Sequence, residues 1–457
     1  MPLLRKTAIM PLLIVSLIAV LYPLVSRAQS AGGLEGKAVD AQGLAIAKAL
    51  VTATNTDTGA QAKTQTDRFG MYLIQPIPPG QYNVEIVAKG YERLLHENLV
   101  VTASETTKLN VKLKVTDPYS FMKSDAPPCM DPDHGRPTPA AVPLFRDPIH
   151  DGAADPVLVW NRARKAWWMF YTNRRADLDD SSGVTWVHGT HIGIAESSDG
   201  GAHWHYVSEA DIPVDKPDYT LWAPEVIDVS GTYHMFLTVV PGTFTDWNHP
   251  RYIEHLTSSD LLHWTFHDKL ALASDRTIDP CVFRLPDGTW RLWYKNERIG
   301  SKIEFADSPD LVHWTDKGIA VTTRGEGPVV FQWRGSYWLI NDSWAGLGVF
   351  RSSNLTTWTR QPDNLLREPG TQPTDRAMGN HPDVVVGSDG RAWLFYFTQQ
   401  SGPDAKPGDP TYARRSVLHV TELHEKDGIL TVDRNAPAYI HLLPPPANKK
   451  SDVAKPW

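Results

Sequence analysis

Five segments of the sequence set one residue directly before a proline and an apolar run directly behind it. They are "DPVLVW" at Asp155, "APEVIDV" at Ala223, "DPCVF" at Asp279, "GPVVF" at Gly327 and "HPDVVV" at His381. Asp155, Asp279 and His381 occupy the pre-proline place, and Glu326 stands one residue before Gly327. The sister segments hold Ala and Gly there, so the local chain does not require an acid. A lone Asp before Pro reads equally well as a turn cap. Carboxylates that share one desolvated place push at least one pKa up. A pair of unlike pKa can then take a proton from water at one end and give one to a leaving oxygen at the other.

The question is what would bring these side chains together. Pro156, Pro224, Pro280, Pro328 and Pro382 are spaced 68, 56, 48 and 54 residues apart, and each apolar run is followed by a second run dense in aromatics. A further element recurs after the first four, "SSDGGAHW" to Trp204, "SSDLLHW" to Trp264, "DSPDLVHW" to Trp314 and "SSNLTTW" to Trp358, with "VTELHEKDGIL" as a degenerate fifth copy. Roughly 50 residues holding four antiparallel strands is one propeller blade, so five units predict a five-bladed β-propeller. A two-sheet sandwich has no reason to repeat a paired signature five times. First strands line a propeller's channel, Pro suits a strand's first position, and it is expected to hold the preceding residue extended. Asp155, Asp279, Glu326 and His381 are therefore expected to converge on one acidic funnel. The recurring Trp204, Trp264, Trp314 and Trp358 read as packing.

Carboxylates around one funnel suit glycoside hydrolysis, with one ionised, one protonated and a third tuning the acid; inversion needs base and acid about 6.5–9.5 Å apart. "ADPVLVW", "LWAPEV", "TIDPCVF", "GEGPVVF" and the repeated "SSDLLHW" make residues 144 to 435 resemble the propellers of glycoside hydrolase family 43 and its relatives in families 32, 62, 68 and 117. The resemblance implies Asp155 as general base, Asp279 as the residue that orients and tunes the acid, and Glu326 as general acid. Asp147 is a rival base, but "IHDGA" follows it where strands follow Asp155; Asp151 reads as a loop residue. "TIDP" stands where retaining relatives carry "RDP", which favours inversion on a terminal arabinofuranose, xylose or galactose-type unit. The resemblance also places His381 near the axis, as a substrate or carboxylate partner or as a metal ligand; no cofactor is required, and a structural cation such as calcium is the one metal it admits. Here "HPD" departs from the family's small residue after the His.

Further substrate contacts are expected from Trp222 by stacking, from Glu225 by alternation toward the funnel, and from Arg174 or Arg175 at the end of blade 1. Trp247, His249 and Arg251 lie in a polar, aromatic loop of the kind that walls a pocket. The expected partner is carbohydrate. Two other readings remain, a non-catalytic carbohydrate-binding propeller and a protein-binding one; separate acid and base positions argue against the first, an acidic channel against the second.

The rest of the chain frames this domain. Residues 1–30 carry Arg5 and Lys6, an apolar run and a small-residue exit near Ala28, the layout of a signal peptide, so the protein is expected to be exported. No Cys follows that run to take a lipid anchor. Residues 31–115 contain no Trp, alternate with period two and read as a β-sandwich of about seven strands. "GLEGKAVDAQGLAIAKALVTATN…TDRFGMYLIQPIPPGQYNVEIVAKGYE" resembles the carboxypeptidase regulatory-like family, of transthyretin-like fold, which implies a scaffold or binding role. Residues 116–143 are a Pro-rich linker, 144–440 the propeller and 441–457 a tail. Two cysteines in 457 residues form no disulfide framework, and a net charge of −7 disfavours nucleic acid. Nothing in the sequence sets an oligomeric state.

Overall fold

The computed structural model describes residues 31–39, 45–67, 69–88, 91–114, 138–178, 182–216, 218–400 and 411–445. The expected signal segment, Cys129 and most of the Pro-rich linker lie outside them. Among the described residues no helix is long and apolar enough to cross a membrane.

The chain is all-β. The described residues between 32 and 112 form a sandwich of eight strands in two sheets, against about seven expected. Leu50–Asn55 lies between Gln61–Gln65 and Gly80–Val87 in one sheet; Gly32–Val39 pairs antiparallel with Met71–Ile77 in the other. Alternation does the folding: the inward residues Leu34, Val51, Ala53, Val84 and Ile86 are fully buried. Tyr91 packs against both this core and the propeller.

Five consecutive four-stranded antiparallel sheets make the propeller, each from one contiguous stretch. Their innermost strands are Ala153–Asn161, Thr220–Val229, Thr277–Arg284, Glu326–Trp333 and Asn380–Val386. These strands run apolar on both faces because each blade is sandwiched between two others. Five apolar clusters fill the five interfaces, among them Trp168 and Phe170 of blade 1 against Tyr233 and Met235 of blade 2, and Cys281 and Trp293 of blade 3 against Val330 and Leu339 of blade 4. Burying each such side chain is worth about 1.5–3 kcal/mol.

The recurring Ser-x-Asp element is a turn that aims a tryptophan inward. Asp260 accepts from the Leu262 and His263 amides at 2.9 Å, and Asp310 and Asn354 do the same one and two blades on. Trp204 and Trp264 are buried and Trp314 and Trp358 half-buried, as packing residues should be.

Side chains also latch blade to blade. Glu225 Oε1 accepts from Val282 N at 3.3 Å, Cys281 Sγ from Val330 N at 3.2 Å and Asp383 Oδ2 from Leu158 N at 2.9 Å, the last closing blade 5 onto blade 1. Phe145 and Leu418 exchange backbone hydrogen bonds across the same seam, and Tyr439–Ile440 pairs with Thr138–Pro139. Ring closure thus needs no strand shared between blades.

Candidate active site

The five pre-proline residues are not extended. Asp155, Ala223, Asp279, Gly327 and His381 have φ of 52°, 42°, 58°, 53° and 35°. At each the pairing with the second strand slips, between Ala154 and Val157, Trp222 and Glu225, Ile278 and Cys281, Glu326 and Val329, and Asn380 and Asp383. Each blade entrance is therefore a β-bulge, which re-aims a side chain at some cost in backbone strain. The bulge overrides the extended preference that proline imposes on its predecessor.

Asp155, Asp279, Glu326 and His381 line one cavity of about 420 Å³, with Arg174, Trp222, Trp247, Arg251, Lys295, Glu297, Arg324 and Trp344 among its walls. Such a volume suits a small ligand. Asp155 Oδ1 lies 3.3 Å from His381 Nδ1 and 3.4 Å from Arg174 Nη2. The His381 ring lies against Gly327, where a Cβ would sit 2.7–2.9 Å from its atoms, so glycine is needed there. Asp279 Oδ2 accepts from Gly327 N at 3.0 Å while Thr238 Oγ1 accepts from Asp279 N at 3.0 Å, which fixes this carboxylate between blades 2 and 4. Glu326 Oε2 accepts from Lys295 Nζ at 2.7 Å.

Burial pushes the Asp279 carboxyl up to about 6, with Glu326 and Asp155 adding to the rise against His381 and Lys295. Burial would push Glu326 up too. The Lys295 ammonium, by charge and by hydrogen bond, together with the Trp344 indole outweighs it and holds Glu326 below the ordinary range. Burial alone would lower the His381 imidazole, but Asp155, Asp279, Glu326 and Asp342 hold it above its usual value. The site thus holds carboxyl groups pushed in opposite directions beside an imidazole whose charged form those carboxylates favour, which is acid–base machinery.

The family model for glycosyl hydrolases family 43 matches residues 182–429, just over half of the chain. The chain belongs to glycosyl hydrolase family 43. A carboxypeptidase regulatory-like domain model matches residues 33–114. Among solved structures, the chain is similar to a thermostable family-43 glycoside hydrolase, at 19% identity and TM-score 0.48 over 65% of this chain and 97% of that one. It is also similar to a family 43 β-1,3-galactosidase solved with galactodeoxynojirimycin, at 15% identity and TM-score 0.47 over 63% and 96%. A third is the endo-arabinase from Bacteroides thetaiotaomicron, at 16% identity and TM-score 0.43 over 64% and 99%. No curated protein matches.

In this family 43 glycoside hydrolase the other expected site residues divide. Trp222 lines the cavity, its Nε1 donating to Val187 O at 2.7 Å and its ring centroid 5.9 Å from that of Trp247. Arg174 and Arg251 line it as well. Glu225 does not: the bulge carries it past the funnel, where it latches Val282 of blade 3. Arg175 is turned to Thr185 O at 2.9 Å, and His249 stacks on Phe244. Asp147 is committed elsewhere, accepting from the Ile149 and His150 amides at 2.9 and 2.5 Å and from the Tyr171 hydroxyl at 2.6 Å. Asp151 pairs with Arg146 at 2.6 Å, as a loop residue. Among the described residues no group of three or more His, Cys, Asp or Glu is placed to hold a metal ion, and His381 is engaged with Asp155. The residues present do not fit a cation at His381.

Five important groups were not among the expected ones: Lys295, Glu297, Arg324, Asp342 and Trp344. Lys295 and Arg324 change the electrostatics: with the expected Arg174 and Arg251 they set four cationic side chains beside the carboxylates, so the cavity is not the acidic channel expected. The signal lay in the second strands. "FYTN" and "FLTV" place Thr172 and Thr238 where "WYKN" and "INDS" place Lys295 and Asp342. Thr172 and Thr238 accept from the next blade's pre-proline amide, of Ala223 and Asp279; Asp342 does so for His381 at 3.2 Å. Lysine cannot accept, so Asp279 takes the Gly327 amide instead and Lys295 reaches Glu326.

Proposed function

We propose that the protein removes a terminal arabinofuranose, xylose or galactose-type unit from an oligo- or polysaccharide by inversion, and that it does so outside the cytoplasm after loss of its first 30 or so residues. One observation carries the reading: three blade-entrance carboxyl groups, Asp155, Asp279 and Glu326, line the same cavity. Asp155 acts as base on the attacking water, oriented by His381 and Arg174. Glu326 protonates the leaving oxygen. Asp279, pinned by the Gly327 amide, keeps its charge close to Glu326 and favours the proton there. Trp222 and Trp247 offer apolar faces to the ring. Lys295 favours the ionised form of Glu326; a bound saccharide that draws Lys295 aside lets Glu326 take up its proton. No step calls for a metal.

A purely carbohydrate-binding propeller would not need an acid and a base on separate blades. The test is hydrolysis of aryl glycosides and oligosaccharides by the wild type, Asp155→Asn and Glu326→Gln. Sugar release by the wild type, lowered at least about a hundredfold in each variant on unactivated substrates, is the expected outcome; equal rates in all three would end the assignment.

A further inference from the structure

Resting on Glu326 as the group that meets the leaving oxygen, we propose that the saccharide on the leaving side carries an oxyanion, a uronate carboxylate or a sulfate ester, held by Arg324 and Lys295 over Trp344. The groups around Glu326 necessarily surround the departing unit. Trp344 lies there, 38% exposed, and its amide donates to Asp342 at 2.7 Å. Its ring carries cations on it: Lys295 Nζ is 5.3 Å and Arg324 Cζ 5.2 Å from the centroid.

Arg324 is exposed, lines the cavity and makes no ion pair among the described residues. Lys295 is the opposite case. Its side chain is 6% exposed and its ammonium lies 2.7 Å from Glu326 and 3.2 Å from Glu297. Glu297 is itself shared, 3.3 Å from Arg251 and 2.8 Å from Arg276. Once Glu326 takes up the proton that hydrolysis requires, Lys295 loses the counter-charge 2.7 Å from its ammonium and is left with Glu297, which Arg251 and Arg276 share, and the charge of Asp279 nearby. A neutral sugar brings only hydroxyls to that place. An oxyanion on the leaving unit restores the balance, reaches Arg324 on the exposed side and lies over an aromatic face that also suits a sugar ring.

Calorimetric titration of the full mature protein at constant ionic strength tests this without turnover, so it is read separately from hydrolysis. The ligands are galacturonate, glucuronate and galactose 6-sulfate against galactose and glucose, with acetate and inorganic sulfate as bare anions. The charged sugars should bind at least about tenfold tighter than their neutral counterparts and tighter than the bare anions; whether the uronates or the sulfated sugar leads identifies the oxyanion. Arg324→Gln, at an exposed position that does not endanger folding, should remove most of that preference, and Lys295→Met the remainder. Equal or weaker binding of the charged sugars, no binding of any sugar, bare anions binding as well, or a preference that survives both substitutions would each overturn the proposal.

Discussion

Gly327→Ala separates backbone tolerance from side-chain crowding at the site's centre. Ala223 holds the equivalent place in blade 2 at φ 42°, close to the 53° of Gly327, so the bulge itself accepts an alanine. Its backbone cost is about 1–2 kcal/mol. In blade 4, however, the new Cβ would lie 2.7 Å from His381 Nδ1, 2.8 Å from Cγ and 2.9 Å from Cδ2. The imidazole must move, and the 3.3 Å contact with Asp155 goes with it. A close charge pair of this kind couples by at least about 1.5 kcal/mol, so kcat/KM should fall at least about tenfold. Thermal unfolding should drop by only about 2–4 °C per kcal/mol of strain. The decisive assay is a double-mutant cycle with His381→Ala, measured as kcat/KM on one aryl glycoside. If crowding of His381 is the cause, Gly327→Ala costs little more in the His381→Ala background. Unchanged activity in Gly327→Ala, or losses that simply add in the double variant, would refute the reasoning.

Other outcomes follow from buried groups. Asp279 is held near 6 in the folded protein against 3.8 unfolded, so its stabilising contribution is present below the unfolded value and lost as pH rises through about 6. Asp279→Asn should therefore raise the unfolding free energy from urea titration at pH 8, on the order of 3 kcal/mol, and much less at pH 4, while activity falls. His234 Nδ1 lies 2.8 Å from His255 Nε2, and burial pushes these imidazoles down to about 4 and about 3. Stability is then full above pH 6.5 and falls between 6.5 and about 3; His255→Leu should flatten that acid limb in a pH series of melting curves. Asp383→Leu leaves the Leu158 amide unpaired at the closing seam and should cost about 1–3 kcal/mol by denaturant titration. A wild-type stability unchanged by that substitution would show the ring to be closed by packing alone.

Much of this was legible because the chain repeats. Comparing five first strands isolates Asp155, Asp279, Glu326 and His381 as the places where a blade departs from its sisters, and the ring brings those places together. What was not legible is local. Strict alternation sends Glu225 toward the funnel, but one extra residue at each entrance reverses the faces beyond it, and a bulge has no residue signature when Asp, Ala, Gly and His all occupy it. Lys295 and Asp342 depart from Thr172 and Thr238 as plainly as the acids do, on the second strands. Trp344 and Arg324 reach the cavity from a loop and a strand end, where the repeat is weakest and its logic does not apply.

The central claim is that Asp155 activates water and Glu326 supplies the proton. It is tested most directly by kcat/KM of Asp155→Asn and Glu326→Gln across aryl glycosides with increasingly good leaving groups. A leaving group that departs without a proton should restore much of the activity of Glu326→Gln and none of that of Asp155→Asn. Restoration in Asp155→Asn instead, or the same deficit for both variants on every substrate, would contradict these roles.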